Sequence, residues 1–359
     1  MQHIRRTALT ALAAAASLAL VACGTPTAPT TPGATASQPS QSKTVTVVTH
    51  DSFALSDAVK ATFQAQTGYE LKTVSQGEGG QLVNQLILTK DSPLGDAVFG
   101  IDNTFAGRAI KEGILVPYAS PKLPAESADL KADGSDALTP TDYGDVCVNA
   151  DKAWFAAKNL AIPATLDDLT KPEYKNLLVV EDAASSSPGL AFLAATIGAK
   201  GADGHLAYWA QLKANGVKVV KGWTEAYNTE FTAAGQGGTR PLVVSYSSSP
   251  AFTVPKGGGD STTTALLGTC FRQVEYTGVL KGAKNEAGAK AFVDWMLSDA
   301  VQADIPGQMY VYPAVKSTAL PDDWKRFAPL SPSPFAVSAA DLSANRDAWI
   351  KAWSAAVIG

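Results

Sequence analysis

The chain has 359 residues, 46% of them hydrophobic, and a formal net charge of −4. This length allows two lobes of ordinary domain size, and the small charge with no basic stripe excludes a typical nucleic-acid-binding surface. The chain has three His residues, and because His50 and His205 have no Cys or His neighbour in sequence, no metal site is predicted.

Residues 1–42 carry targeting signals rather than a folded domain. Arg5 and Arg6 precede an apolar run that is too short to span a bilayer, and we assign 1–22 to a signal peptide. The stretch Leu20-Val21-Ala22-Cys23-Gly24 resembles the lipobox of bacterial lipoproteins, which predicts lipidation at Cys23. An ordinary signal peptide that contains a Cys is the alternative. Residues 23–42 lack large apolar side chains and are predicted to form a disordered tether to the outer face of the cytoplasmic membrane.

The segment 43–112 alternates between strands and helices that are joined by short loops. Strands are predicted over 43–49, 70–75 and 97–101, and helices over 57–67, 81–90 and 104–112. Ser56 is the expected N-cap of the first helix, and Gly68 ends it. This alternation predicts an α/β lobe with a mainly parallel sheet.

Polar residues follow these strands at the edge where parallel sheets bind ligands. His50, Glu78 and Asp102 each lie just past the carboxyl end of a predicted strand, which indicates a cleft there. Glu78 lies between glycines, so both its backbone and its carboxylate can approach a ligand closely. The alternatives are a solvated surface acid for Glu78 and a helix cap for Asp102.

The second half of the chain has a similar pattern. Strands are predicted over 146–149, 177–181, 217–220, 242–245 and 271–276, and helices over 189–197, 205–215, 224–233, 286–297 and 339–357. Residues 306–313 are predicted to be an aromatic-rich loop. In the last helix, the i,i+4 spacing of Trp349 and Trp353 predicts core contacts rather than a binding site.

Two hydroxyl-rich segments each precede a predicted helix. They are Ser185-Ser186-Ser187-Pro188-Gly189 and Ser247-Ser248-Ser249-Pro250. Because helix starts offer free N–H groups, these two segments together predict a grip on a phosphate or hydroxyethyl group. For each segment alone, a simple helix cap is the alternative.

Four aromatic residues are further candidates for the site. Trp223 and Tyr246 come just after strand ends, and Phe252 and Tyr310 lie further along the chain. Aromatic faces attract cations, so this set is typical of a site for an organic cation, with Tyr310 as the candidate for the opposite wall. Core packing is the alternative role for Trp223.

Cys147 and Cys270 remain after removal of the predicted signal peptide. An oxidising compartment permits a disulfide between them. Two buried free thiols are the alternative, because sequence does not give the geometry that such a bond requires.

Several ordered segments together resemble the thiamine-binding proteins of bacterial ABC importers over nearly the whole mature chain. The matching segments are His50-Asp51-Ser52-Phe53, Phe99-Gly100-Ile101-Asp102-Asn103, Asp142-Tyr143-Gly144, Ser187-Pro188-Gly189-Leu190, Lys221-Gly222-Trp223-Thr224-Glu225-Ala226-Tyr227, Ser245-Tyr246-Ser247-Ser248-Ser249-Pro250-Ala251 and Asn345-Arg346-Asp347-Ala348-Trp349-Ile350.

The resemblance implies a two-lobed type II periplasmic-binding-protein fold, in which each lobe is a mixed sheet flanked by helices and hinge strands join the lobes. The implied boundaries are 43–141 and 270–320 for lobe 1, 142–269 for lobe 2, and 321–359 for a C-terminal helical segment packing on the lobes. The implied ligand is thiamine or its phosphates, with no cofactor. The implied partner is an ABC-transporter permease, and a monomer is expected.

The resemblance also implies a set of ligand-binding residues. They are Glu78, Gly79, Ser186, Ser187, Trp223, Tyr246, Ser247, Ser248 and Ser249. Three positions depart from the family pattern: His50 and Phe252 stand where the family can have Tyr, and Tyr310 where it can have Trp. These departures leave open the ranking of thiamine against its phosphates.

Four other functions are alternatives to a non-catalytic thiamine receptor: a transferase, an iron carrier, a polyamine receptor and a hydrolase. Thiamine-degrading transferases share this fold in outline and use a Cys nucleophile, which needs an activating base and access. Iron carriers of this fold usually present adjacent Tyr ligands, and the sequence has no Tyr-Tyr pair. Polyamine sites need several carboxylates. A Ser-His-Asp hydrolase is poorly supported because no Gly-x-Ser-x-Gly segment occurs.

Overall fold

A computed structural model describes residues 42–132 and 135–359. The predicted signal peptide, Cys23 and residues 23–41 of the predicted tether lie outside the described residues. Within the described ranges, no helix combines the length and hydrophobicity that crossing a bilayer requires.

The strands and helices alternate along most of the chain. The strands are β1 (Thr44–Thr49), β2 (Glu70–Ser75), β3 (Ala97–Asp102), β4 (Leu115–Val116), β5 (Thr139–Asp151), β6 (Leu178–Glu181), β7 (Lys218–Val220), β8 (Leu242–Tyr246), β9 (Thr263–Leu280) and β10 (Tyr312–Pro313). The α-helices are α1 (Asp57–Thr67), α2 (Gly79–Leu88), α3 (Ala106–Lys111), α4 (Lys152–Ala157), α5 (Ser187–Ala214), α6 (Trp223–Glu225), α7 (Ser249–Phe252), α8 (Glu286–Met296), α9 (Asp299–Gln308), α10 (Asp322–Phe327) and α11 (Ala339–Val357). A π-helical turn, Ala226–Glu230, follows α6.

The sheet confirms the predicted two-lobed α/β fold. Its order is β2-β1-β3-β9-β5-β8-β6-β7. β1 is parallel to β2 and β3 on one side, and β6 is parallel to β7 and β8 on the other. Between them, the long strands β5 and β9 run antiparallel to each other and belong to both halves. They are the crossing hinge strands.

Local capping explains why many predicted elements were correct. The Ser56 side chain accepts the Val59 N–H at the start of α1, and Gly68 adopts the left-handed conformation that ends it, with φ 75°. The two helices predicted over 189–215 form one longer element, α5, with a break at Gly201, where φ is 76°. Gly tolerates this conformation at little cost.

Other predictions were wrong in extent. The strands predicted over 146–149 and 271–276 are much longer, because polar residues such as Asp142 and Gln273 lie inside the buried ladder of β5 and β9. Residues 306–313 are not all loop. Helix α9 runs to Gln308 and contains Pro306, and Tyr312 and Pro313 pair with β5.

A disulfide joins the two hinge strands. The Cys147 and Cys270 sulfurs are bonded, and both residues are fully buried. The bridge lies beside the register pair Val146 and Phe271, where β5 and β9 meet. Since both thiols are used in this bond, neither is available as a nucleophile in the described structure.

The C-terminal helix contacts both halves of the structure, although the lobe boundaries given above remain predictions. Trp353 of α11 is fully buried and packs edge-to-face on Trp209 of α5, with ring centroids 5.4 Å apart. Arg346 of α11 lies over the Phe105 ring beside α3, 4.2 Å from its centroid. The core role predicted for Trp353 is confirmed.

Candidate ligand-binding site

A cavity of about 280 Å³ lies between the lobes, at the carboxyl ends of the parallel strands. Its size is close to the lower end of the range for small-molecule sites, about 300–1,000 Å³. The lining residues are His50, Asp51, Ser52, Glu78, Gly79, Ser187, Pro188, Trp223, Tyr227, Asn228, Tyr246, Ser249, Phe252, Gln273, Glu275, Gln308, Met309, Tyr310 and Val311. The cavity therefore lies where the strand order predicts a ligand site.

One wall is a stacked pair of aromatic rings. Trp223 begins α6, and its ring stacks on Tyr227 with centroids 5.0 Å apart and planes 12° from parallel. The indole Nε1–H donates to Ser245 Oγ at 2.9 Å, which fixes the ring orientation. Trp223 and Tyr227 are only four residues apart in consecutive helical turns, and the hydrogen bond to Ser245 holds the indole. The wall is therefore preorganised for contact with a flat ligand.

A second aromatic group lies around Tyr246 and Tyr310. Tyr310 follows α9 with a left-handed backbone, φ 55°, and packs edge-to-face on Phe252 at 4.7 Å. Phe252 is 54% exposed, unusual for so large an apolar side chain. Tyr246 ends β8, and its hydroxyl lies 3.4 Å from Gln273 Oε1 of β9. Two of the predicted departures from the family pattern, Phe252 and Tyr310, thus contact each other.

Charged groups from lobe 1 and the hinge meet beside these rings. His50 Nε2 lies 3.0 Å from Glu275 Oε1. Burial acts to lower the pKa of His50, but the Glu275 carboxylate raises it above the ordinary value. Asp142 of β5 is the cross-strand neighbour of Glu275. Burial and then the Glu275 charge raise the pKa of Asp142 well above its usual range, which favours the protonated form of Asp142 beside the Glu275 carboxylate.

Glu78 joins the two lobes across the cavity. It is the N-cap residue of α2, and its Oε1 accepts the Trp223 backbone N–H at 3.2 Å. Next to this contact, Gly80 N donates to Ser185 O at 2.9 Å. A Cβ on Gly222 would overlap the Glu78 carboxylate, so glycine is what allows this close approach. The described structure is therefore a closed arrangement of the lobes.

Some predicted site residues lie behind the cavity wall. Asp102, Ser186, Ser247 and Ser248 are fully buried and do not line the cavity. Asp102 accepts the Thr104 N–H at 2.6 Å in the turn between β3 and α3. It does not cap α3, whose N-cap is Phe105, so the helix-cap alternative given for Asp102 is wrong. Ser248 Oγ donates to Tyr310 O at 2.5 Å. These hydroxyl and carboxyl groups support the wall, while the other predicted site residues line it.

The sequence predictions did not include several lining residues. Gln273 and Glu275 come from hinge strand β9, and Tyr227 and Asn228 from the turn after α6. The polar residues Gln273 and Glu275 were a usable signal, because alternate strand residues share one face. Tyr227 lay within the Lys221–Tyr227 segment but had no role assigned.

Comparison with known proteins identifies the family. Residues 93–332 match the family model described as bacterial extracellular solute-binding protein. The chain belongs to this family. The solute-binding protein is 31% identical to the thiamine-binding periplasmic protein of Escherichia coli (strain K12) over 320 residues, which cover 87% of this chain and 93% of that relative. It is 28% identical to the thiamine-binding periplasmic protein of Brucella suis biovar 1 over 323 residues, 87% of this chain and 92% of the relative.

Solved structures have the same fold. A periplasmic thiamin binding protein superposes with a TM-score of 0.76 and 28% identity, covering 91% of this chain and 98% of its own. The periplasmic binding protein AfuA from Actinobacillus pleuropneumoniae superposes with a TM-score of 0.73 and 18% identity, covering 88% of this chain and 99% of its own. At that lower identity the similarity shows the fold alone.

Proposed function

We propose that this solute-binding protein is a non-catalytic, extracytoplasmic receptor that captures thiamine and delivers it to an ABC-transporter permease. We further propose that lipidated Cys23 anchors it to the membrane and that it acts as a monomer. The observation that carries the proposal is the interlobe cavity, in which aromatic rings and carboxylates surround one space. The names of the relatives support the choice of ligand.

The cavity chemistry suits each part of thiamine. The rings of Trp223, Tyr246 and Tyr310 offer π-faces to the positively charged thiazolium. The carboxylates of Glu78 and Glu275 counter its charge and accept hydrogen bonds from the aminopyrimidine. Closure follows if thiamine binds the closed arrangement more tightly than an open one, since the lobes move about the hinge strands β5 and β9.

The alternatives have weaker support. The transferase needs a free Cys beside a base, and both cysteines of the described residues form the buried disulfide. The Tyr residues that line the cavity are Tyr227, Tyr246 and Tyr310, and they are not adjacent in sequence as iron ligands of this fold usually are.

Isothermal titration calorimetry with purified mature protein tests the proposal. Thiamine is expected to bind at one site with a negative heat-capacity change, because apolar surface is buried. Spermidine and ferric citrate are expected to bind far more weakly. Tighter binding of either competitor, or no heat with thiamine, would contradict the proposed ligand. Pyrimidine release during incubation with thiamine and a nucleophile would instead indicate the transferase.

The close approach at Gly222 leads to a prediction about closure. Gly222→Ala places a methyl group against the Glu78 carboxylate and breaks the Trp223 N–H contact with it. We expect thiamine affinity to fall by about 1 kcal/mol, the usual net value of one hydrogen bond. The matched control is Gly204→Ala in α5, whose new Cβ would lie 3.5 Å from Lys200 Cβ and away from the cavity. Equal affinities of the two variants would show that the contact does not contribute to binding.

A further inference from the structure

A second cavity, of about 470 Å³, lies behind hinge strand β9, between α3 and the start of α11. Gln273 and Glu275 of β9 line the interlobe cavity, whereas Arg272 and Val274 line this one. Successive side chains of a strand point to opposite faces, so β9 separates the two cavities. They have no lining residue in common, and thiamine binding in the interlobe cavity does not use the second one.

The acidic residues that line the second cavity are already neutralised. Each of the three has an ion-pair partner, and the pairs are Glu112 with Lys90, Asp129 with Lys316, and Asp347 with Arg346. An anion that enters the cavity therefore does not meet an uncompensated carboxylate among the described lining residues.

The basic lining residues exceed these acids. Five are basic, and two of them, Lys131 and Arg272, pair with acids outside the cavity. Arg108 donates to the neutral amide oxygen of Asn84 at 2.6 Å, and Lys111 has no ion pair within the described ranges. Two positive charges of the described lining are thus left without a carboxylate partner.

The guanidinium of Arg346 has a donor that the described structure leaves unused. Arg346 is only 6% exposed, and its Nε has no hydrogen-bond partner among the described residues, although Nη1 donates to Asp347. Burial lowers the pKa of Arg346, the Asp347 charge raises it, and the charge of Arg108 lowers it again. An anion beside both guanidinium groups would relieve this repulsion, and guanidinium groups bind phosphate oxygens in bidentate geometry.

Much of the remaining wall is apolar. The apolar lining residues include Phe271, Val274, Phe335, Val337 and Leu342. A cavity of several hundred Å³ with an apolar wall and a few charged groups is typical of a site for a small organic ligand. A phosphate monoester carries about −1.5 to −2 charge at pH 7, which matches the two uncompensated positive charges.

We infer that the cavity behind β9 is a second ligand site, which binds a small organic phosphate monoester. Arg108, Lys111 and Arg346 bind the phosphate, and the apolar wall contacts the organic part. The inference goes beyond the proposed function and does not depend on it, because the two cavities are separate. Without such a ligand, Arg346 would serve only to pack α11 on Phe105.

Isothermal titration calorimetry of the mature protein with phenyl phosphate at pH 7.5 tests the inference. This probe has both a phosphate and an apolar ring, and we expect saturable binding with a Kd of about 1 mM or tighter. Inorganic phosphate lacks the ring and benzyl alcohol lacks the charge, so each should bind at least about tenfold more weakly. A weaker Kd for phenyl phosphate, or binding of either simpler probe within tenfold of it, would overturn the inference.

Two variants of the basic residues test the site itself. Arg346→Met removes the buried charge and should lower phenyl phosphate affinity at least about tenfold. Lys111→Gln alters an exposed side chain and should lower it about threefold or more, so it decides the matter if Arg346→Met does not fold. The matched control is Lys72→Gln, an exposed Lys outside both cavities, which should bind like the wild type. Unchanged affinity in either folded test variant would overturn the inference.

The Trp223→Ala variant shows which cavity the probe occupies. Trp223 lines the interlobe cavity and not the second one, so phenyl phosphate should bind this variant with wild-type affinity. A loss of phenyl phosphate affinity in Trp223→Ala would place the probe between the lobes and overturn the inference, whatever the result for thiamine. A failure of thiamine to bind would overturn the proposed function alone.

Discussion

Thiamine binding to the Trp223→Ala variant is expected to be about 1–3 kcal/mol weaker than binding to the wild-type protein, as for loss of an aromatic contact to a desolvated cation. The indole lines the cavity, stacks on Tyr227 and is fixed by its hydrogen bond to Ser245. Removing it takes away the π-face and leaves the Tyr227 ring without its stacking partner. Isothermal titration calorimetry gives the affinity directly.

Two further variants separate ligand contact from folding. Trp223→Phe keeps an aromatic face but loses the N–H donor to Ser245, so we expect a smaller loss of affinity than in the Ala variant. Trp154→Ala removes a half-buried Trp of the same half of the protein that packs on Phe155 and does not line the cavity. If Trp223→Ala bound thiamine with wild-type affinity, Trp223 would be a packing residue. The same would follow if Trp154→Ala lost as much thiamine affinity as Trp223→Ala.

Removal of the hinge disulfide is expected to give the largest change in stability. The double variant Cys147→Ala/Cys270→Ala loses a crosslink between residues separated by 123 positions. Crosslinks that close such long loops restrict the unfolded chain, and their removal typically lowers the free energy of unfolding by about 2–5 kcal/mol. Equilibrium urea denaturation of the mature protein, followed by circular dichroism, measures this loss.

Reducing agent provides the matched control for the disulfide prediction. Dithiothreitol should lower the unfolding free energy of the wild-type protein to about the level of the double variant. The variant itself should not respond to the reductant. Equal unfolding free energies of variant and wild type, both measured without reductant, would show that the bridge does not stabilise the fold.

The sequence predicted best those elements whose ends are determined locally. Helix α1 and strand β2 have the predicted bounds, because the Ser56 cap, the Gly68 stop and β-branched residues act within a few positions. The same holds for α11, whose N-cap Ser338 accepts the Asp341 N–H. Tertiary contacts are not needed to place these boundaries.

The hinge strands were harder to predict because tertiary pairing determines them. Strand β9 continues through Arg272, Gln273 and Glu275, and β5 through Asp142 and Asp145. Their polar side chains are compensated by partners far away in sequence: Arg272 pairs with Asp145, and Glu275 with His50. A single sequence shows the polar residues but not these partners, so both strands were predicted too short and Glu275 was not recognised as a site residue.

The structure brings together in one cavity those predicted site residues that follow strand ends, and their role in binding stays a prediction. His50, Glu78, Trp223 and Tyr246 line the cavity because the carboxyl ends of the parallel strands face each other across it. Of the hydroxyl segments, only Ser187 and Ser249 among the predicted site residues line the cavity. Whether a Ser side chain turns towards the ligand or the protein depends on the packing around it, as Ser248 shows by donating to Tyr310 O.

A crystal structure of the mature protein with thiamine bound would show where the ligand lies. We expect one thiamine in the interlobe cavity, in contact with the rings of Trp223 and Tyr246 and with the carboxylates of Glu78 and Glu275 nearby. Thiamine bound outside this cavity, or bound with both rings turned away from it, would show that the proposed binding site is wrong.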